Sequence, residues 1–402
     1  KSQSTSDGGA SFFSSSGESQ FIGTADRPDV FLDAGRPSDE RILNDPNTGW
    51  FRSLRGLGRI LTLKVYGPVR PGLLCTVEVT AGVGKVVRTV AFSLGARSIP
   101  SLHAAVEVGN GGGPLQPFPL PVQAHWGGVK IQGDVRLGTV QQIPAKTGFA
   151  EVSGRSYTDM THHEDRWIEY WIGGEAIWTP TVLSVVNISL AHVHTHQDPT
   201  PGLRLASWEY AQLKDAARTF GSYYARGENG LLYRDGVIEP GQGITADDVF
   251  RSEAVGQHHG LVFIDTLDGQ APNGENLGTL TVTTDYAEGL FVVNANLVLA
   301  PQGTGRSVAV LSPPAEGNTQ LATRVPVQLG PINIQGVLYV TGNLAVEGHP
   351  SIYGGLIVGG TVTPRFGGND ALEVWYNADL QKGLVRGVPL VYVASGTWAE
   401  RY

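Results

Sequence analysis

The sequence predicts a mainly β protein, an antiparallel meander accompanied by a parallel β-solenoid (β-helix) and one short helix. Three observations carry that expectation. Glycine supplies 54 of the 402 residues and proline 24, so the chain turns often. Charged residues make up only 16 %, against a typical ~25 %, while 41 % hydrophobic content suffices for a core. Short apolar runs separated by glycine also recur at a fixed offset, which is how stacked coils are written in sequence.

Residues 1–48 are polar, turn-rich and only weakly periodic, and residues 1–20 read as a Ser/Gly-rich linker without the apolar region of a signal peptide. Three alternating runs follow, at residues 60–66, 74–80 and 86–94, joined by Gly/Pro turns. Period-two alternation with short turns predicts an antiparallel meander with one buried face. After Gly95 the texture changes. Residues 336–344 (GVLYVTGNL) align with 354–362 (GGLIVGGTV) at an offset of 18, and a further step of 18 places Val374, Trp375 and Tyr376 on the same apolar positions. Residues 289–297 (GLFVVNANL) form another copy and 129–135 (VKIQGDV) a looser one. Such coils bury their inward residues only by stacking, and Gly or Asn corners suit bends that need positive φ. A helix is expected over residues 205–224, where Ala206, Tyr210, Leu213, Ala217 and Phe220 fall at helical spacing. The chain closes with a strand at 389–394 and Gly396-Thr397-Trp398.

Composition bounds the function. Net charge is −8, from 29 basic and 37 acidic residues, so any nucleic-acid contact needs a local basic patch. Cys75 is the single cysteine, which excludes an intrachain disulfide and a thiolate cluster. No run approaches the roughly 18 apolar residues of a membrane span. G-x-S-x-G, Walker, H-E-x-x-H and dinucleotide fingerprints are all absent from the sequence.

Three clusters could carry chemistry. His192, His194 and His196 alternate, so one strand face would present three imidazoles, a nitrogen donor set that suits a divalent metal such as zinc, with Asp198 nearby. The plainer reading is a polar strand facing solvent. His162, His163, Glu164 and Asp165 precede Trp167, Tyr170, Trp171 and Trp178, which could suggest a sugar cleft; adjacent Glu and Asp on a strand point to opposite faces and make a poor acid/base pair. Arg52, Arg55, Arg59, Lys64 and Arg70 lie beside Trp50, Phe51 and Tyr66, a combination able to pair with phosphates and stack on bases, or simply to pair with Asp39, Glu40 and Asp45. A second patch is expected where meander and solenoid meet, from Lys85, Arg88 and Arg97 on one crossing and Lys382 and Arg386 on the other.

Several of these segments resemble the PilX-type family of pilin-like proteins. Residues 76–90 (TVEVTAGVGKVVRTV) look like its sheet hairpin, 125–129 (HWGGV) like its entry into a solenoid, 336–362 like its Gly-rich coils, and Gly396-Thr397-Trp398 like its end. The resemblance covers about half the chain and implies a pilin/pseudopilin-like sheet domain, residues 1–95 plus 385–402, into which a β-solenoid, residues 96–384, is inserted. It further implies a minor pilin of the pilus tip that takes part in natural competence. Such a protein would bind DNA without sequence specificity, work beside other minor pilins at the cell surface, and meet the membrane only through an N-terminal hydrophobic helix missing from this sequence. No catalysis and no cofactor beyond the candidate metal are expected. A carbohydrate-active solenoid enzyme and a non-catalytic surface adhesin are the competing readings.

Overall fold

A computed structural model describes residues 19, 21–54, 56–70, 73–96, 102, 104–109, 120–137, 146–148, 165–167, 169–178, 193–197, 207–239, 241–251, 260–311, 326–366, 370–377, 379–380, 391–394 and 396–401. The chain is mainly β with few helices, and it divides into two units: Lys1–Pro100 with Pro389–Tyr402, and Ser101–Val388.

The first unit is an antiparallel sheet. The three alternating runs form β2 (Arg59–Tyr66), β3 (Cys75–Val83) and β4 (Val86–Ala96), preceded by β1 (Val30–Asp33) and the helix α1 (Pro37–Asn44). Sheet order is β1-β2-β3-β4, and β4 also pairs with the terminal strands Val391–Val393 and Ala399–Arg401. β1 and α1 lie in the region read as merely polar. The missed signal was Pro37 in the first helical turn followed by Asp39 and Glu40, acidic residues that favour the positive helix N-terminus. Leu43 from α1 packs with Ile60 and Leu63 of β2, and the Asn44 side chain both donates to and accepts from the Ile60 backbone, at 2.8 and 2.9 Å.

Each inward position of β3 and β4 follows from strict register, down to Val83 opposite Val86 across the turn at Gly84-Lys85. At the other end of β4, Ala96 lies directly opposite Val391. Trp398 stacks on Phe92 (5.7 Å between centroids), and the Thr397 hydroxyl accepts from the Ser93 amide at 3.0 Å.

The second unit is built on parallel pairing. In its largest sheet, Gly289 lies opposite Gly336 and Gly336 opposite Gly354, so the sequence copies are neighbours in space. A second ladder joins Thr279–Val282, Asn296–Leu299, Leu344–Val346 and Val362–Pro364, also parallel. Corners between the ladders are tied by asparagine: Asn296 Oδ1 accepts from the Asn343 amide, and Asn343 Oδ1 from the Thr361 amide, each at 2.9 Å. Alternation puts Phe291, Leu338, Leu356 and Val106 in one buried column and Val293, Val340, Val358 and Val108 in another.

Three details depart from the sequence reading. The step of 18 holds from Gly336 to Gly354 but not beyond, because Ile352 pairs with Val374 and Gly354 with Tyr376, a step of 22. The difference arises between Pro364 and Leu372, where Asp370 accepts from the Gly348 and Phe366 amides. Between Gly289 and Gly336 the step is 47, because Arg306–Leu311 and Pro326–Ile332 form an antiparallel pair within that pass. The helix is α2 (Ser207–Phe220), shorter than expected, and Ser222–Arg226 is a strand. Gly221 ends the helix where a Cβ would sit 2.7 Å from the Leu261 carbonyl oxygen.

Strand order along the large sheet shows how the second unit is threaded. Leu356–Val358, late in the chain, pairs with Val106–Val108, early in it, and Val106–Val108 then pairs with Val129–Ile131. The Val122–His125 strand likewise pairs with Leu372–Tyr376. One pass is therefore shared: Leu372–Tyr376 supplies one stretch and Val106–Val108 the next. The two ends are bonded where they meet, since the Leu102 amide donates to the Leu380 carbonyl (3.2 Å) and the Tyr376 hydroxyl to the Leu102 carbonyl.

Candidate functional site

Among the described residues, the two expected cation patches are regrouped by the sheet. β4 alone runs from Val86 to Ala96, so Lys85 and Arg88 stand at the turn end of the hairpin, roughly 30 Å of strand from Ala96. The expectation that Lys85 and Arg88 join Arg97 at the crossing is thereby corrected: nearness in sequence was mistaken for nearness along an extended strand. Arg97, Lys382, Arg386 and Arg55 lie outside the described residues.

Lys85 and Arg88 instead share one end of the sheet with Arg59 and Arg52. Arg59 lies opposite Gly82 and pairs with Glu40 at 3.1 Å, as the plainer reading had it. Arg52 donates to the Gly49 carbonyl at 3.3 Å and remains exposed. Arg88 faces Glu400 at 3.9 Å. Lys64 is placed elsewhere, mid-strand, bonded to Glu78 at 3.0 Å and set over the Phe31 ring. The acidic neighbours Asp39 and Asp45 are engaged with backbone. The Asp33 amide, the Ser38 hydroxyl and Arg36 hold Asp39 below its usual range, and the Thr48 and Asn47 amides do so for Asp45.

Charge is distributed unequally between the units. The first carries thirteen Lys/Arg and ten Asp/Glu, a net +3; the second carries sixteen and twenty-seven, a net −11.

Of the histidine row, His192 lies outside the described residues, and His194 and His196 go to different carboxylates. His194 Nε2 lies 2.8 Å from Glu169 Oε2 while its ring stacks on Trp171 at 4.1 Å. His196 Nε2 lies 3.1 Å from Glu175, at a corner where its amide donates to Gly174. Among the described residues no group of three or more His, Cys, Asp or Glu side chains could hold a metal ion. His162, His163 and Glu164 lie outside the described residues, and Asp165 opens a short strand paired with Lys146–Gly148.

Sequence reasoning missed a second stack of the same composition. His125 lies flat on Trp375 (3.9 Å, 8°) with Nε2 2.9 Å from Glu373, and Trp126 meets Trp375 edge-on. In both stacks Glu and Trp are spaced Glu-x-Trp on one strand, and the histidine sits opposite the tryptophan on the next, Trp375 to His125 and Trp171 to His194. Burial pushes the Glu373 carboxyl up, but bonding and charge from His125 outweigh it and hold the group below its usual range. The repeated Glu-x-Trp was visible in sequence; its partner histidines were not.

A buried network was missed entirely. Asp265 accepts from the Tyr210 hydroxyl, the Tyr223 hydroxyl (2.6 Å), the Thr266 amide (2.9 Å) and Lys214 (2.7 Å). Tyr210 and Lys214 are one helical turn apart on α2, and Arg218 continues that stripe over the Tyr223 ring, so the network fastens α2 to the parallel sheet. Burial, with Asp265 next, pushes the Tyr223 hydroxyl up to about 12 and the Tyr210 hydroxyl further. Both phenols are held protonated, and the four donors to Asp265 fasten α2 to the sheet.

Glu107 is a buried carboxyl in the row that runs from Ile357 through Lys130 to Trp171. Burial raises its pKa and Lys130 only partly opposes this. The stability tied to this group is therefore complete below its unfolded value of about 4.3 and is lost as pH rises through the folded value. Glu107→Gln is expected to raise unfolding stability at pH 7 by about 0.5–2 kcal/mol and to give no gain near pH 3.5, as urea titrations at the two pH values would show.

No known family matches the chain, and no curated protein matches it. Among solved structures, one entitled "Crystal structure of competence-associated pilin ComZ from Thermus thermophilus" is similar at 12 % identity, covering 86 % of this chain and 84 % of that one, with a TM-score of 0.33. That is a weak likeness of fold.

Proposed function

We propose that this chain is a non-catalytic, pilin-like protein of a pilus tip or cell surface, in which a pseudopilin-type sheet carries an inserted β-solenoid. The observation that carries the reading is the closeness of the insertion's ends within each unit. Ala96 and Val391 are cross-strand neighbours in the sheet, and Leu102 and Leu380 are bonded in the parallel unit. A host strand pair can thus open into a guest without distorting either, which is the condition for a displayed insertion. Parallel ladders joined by Asn and Gly corners support the solenoid. The absence of catalysis is supported by clusters whose polar groups are engaged with one another. No metal cofactor is proposed. Other minor pilins are the proposed partners in assembly.

DNA is the proposed ligand, and the charge difference supports a contact on the sheet unit. A unit of net −11 repels a polyanion, whereas the sheet unit offers Arg52, Arg59, Lys85 and Arg88 at one end. Four phosphate contacts give a log–log salt slope no steeper than about −4, from ~0.9 per phosphate. Fluorescence anisotropy at several salt concentrations should show sequence-indifferent binding, weakened about equally for all sequences by Arg52→Glu and Lys85→Glu and unchanged by Lys130→Glu. Binding that ignores the first two substitutions, or no binding at low salt, would remove DNA from the proposal.

A further inference from the structure

The end of the sheet that carries those four cations also exposes an apolar surface that phosphate recognition does not need. β3 and β4 run one residue pair beyond β2, whose last partner is Gly82, so Val83 and Val86 project past the neighbouring strand. The exposed fractions are 59 % for Val83, 55 % for Val86, 52 % for Val87, 70 % for Leu57 and 63 % for Trp50. Gly58 lies against this tip, since a Cβ on it would come 2.7 Å from the Val83 side chain. The Arg59–Gly82 pairing and the Asn44–Ile60 bonds bring the start of β2 and the end of α1 to the same end. Arg52, Arg59, Lys85 and Arg88 lie at the same end, Arg59 paired with Glu40 and Arg88 facing Glu400.

From this arrangement we infer that the hairpin tip is a membrane-contact site that seats on anionic lipid headgroups, with the valines and Leu57 entering the interface. Exposed aliphatic side chains contribute nothing to phosphate binding in water, but they gain on leaving it for acyl chains. Lys and Arg around such a tip are attracted to an anionic leaflet, and Trp favours the headgroup level. A projecting convex tip suits a deformable bilayer, whereas a protein partner would have to offer a pocket of matching shape. The net charge of +3 on this unit is complementary to an anionic surface. The membrane contact goes beyond the proposed DNA contact: it shares those cations and adds the aliphatic side chains, which DNA does not need.

The test is flotation of the full chain with phosphatidylcholine vesicles, with and without about one third phosphatidylglycerol, at low and high salt. Binding is expected to the anionic vesicles alone and to fade with salt. Replacing Val83, Val86 and Val87 together by Ser should weaken it on the order of tenfold or more, and Leu57→Ser severalfold, because each removes methylene groups from the interface. Thermal melting should hold for both variants, since these side chains are exposed, and DNA binding should be retained. Lys85→Glu should abolish the preference for anionic lipid. The proposal is overturned if anionic vesicles are not bound at low salt, or if the valine variant binds them like the parent. It is equally overturned if that variant loses DNA binding in step, which would make the end a nucleic-acid surface.

Discussion

Gly354→Ala is expected to cost at least about 3 kcal/mol of unfolding stability, among the largest effects any single exposed or buried position should give. Gly289, Gly336 and Gly354 stack at the same register with φ near +145, +142 and +149, a region that side chains rarely adopt. The stack is also too close for a side chain: a Cβ at Gly354 would lie 1.7 Å from the Gly336 carbonyl oxygen, and one at Gly336 would lie 2.0 Å from that of Gly289. Strain in the backbone and separation of neighbouring strands therefore add. Gly348→Ala is the matched control, because φ is +72 there but the space is open. It should cost only about 1 kcal/mol. Denaturant midpoints that move equally for the two would show that the close approach of the backbones is unimportant.

Asp265→Ala is expected to cost about 3–5 kcal/mol, the usual penalty for removing one partner of a buried charged pair. The change removes the acceptor shared by Lys214, both tyrosine hydroxyls and the Thr266 amide and leaves a cavity among them, with Lys214 keeping its bond to the Gly269 carbonyl. Asp265→Asn combined with Lys214→Met should recover a substantial part of the loss, since the uncompensated charge then disappears. Strict additivity of Asp265→Asn and Lys214→Met, measured in a double-mutant cycle, would contradict the coupling. α2 should loosen before the rest of the unit in Asp265→Ala, because Tyr210, Lys214 and Arg218 are its polar fastenings.

What was legible in the sequence was local. Alternation located β2, β3 and β4, and the glycine-spaced copies located strands that turned out to be neighbours in the large sheet. Periodicity fails between Pro364 and Leu372, because added residues leave the stacking of the flanking strands intact while shifting every later position. Pairing of Val106–Val108 with Leu356–Val358 left no trace, since both segments satisfy the same apolar alternation and many strands would fit either. The Asp265 network escaped for another reason: Tyr210 and Lys214 read as an ordinary helical stripe, and only the fold brings the carboxylate to them. Sequence nearness sets Lys85 and Arg88 beside Arg97, but eleven residues of strand look short in sequence and are long in space.

The central structural claim is that the second unit is one parallel stack in which the segments entering and leaving it complete a shared pass. Native-state hydrogen exchange followed by mass spectrometry tests this most directly. If Val106–Val108 is an interior strand bonded on both sides, its amides should exchange together with those of Leu356–Val358 and Val129–Ile131, at the slow rate of the Leu290 to Val293 segment. Fast, loop-like exchange of residues 106–108 while 356–358 stay protected would contradict the shared pass.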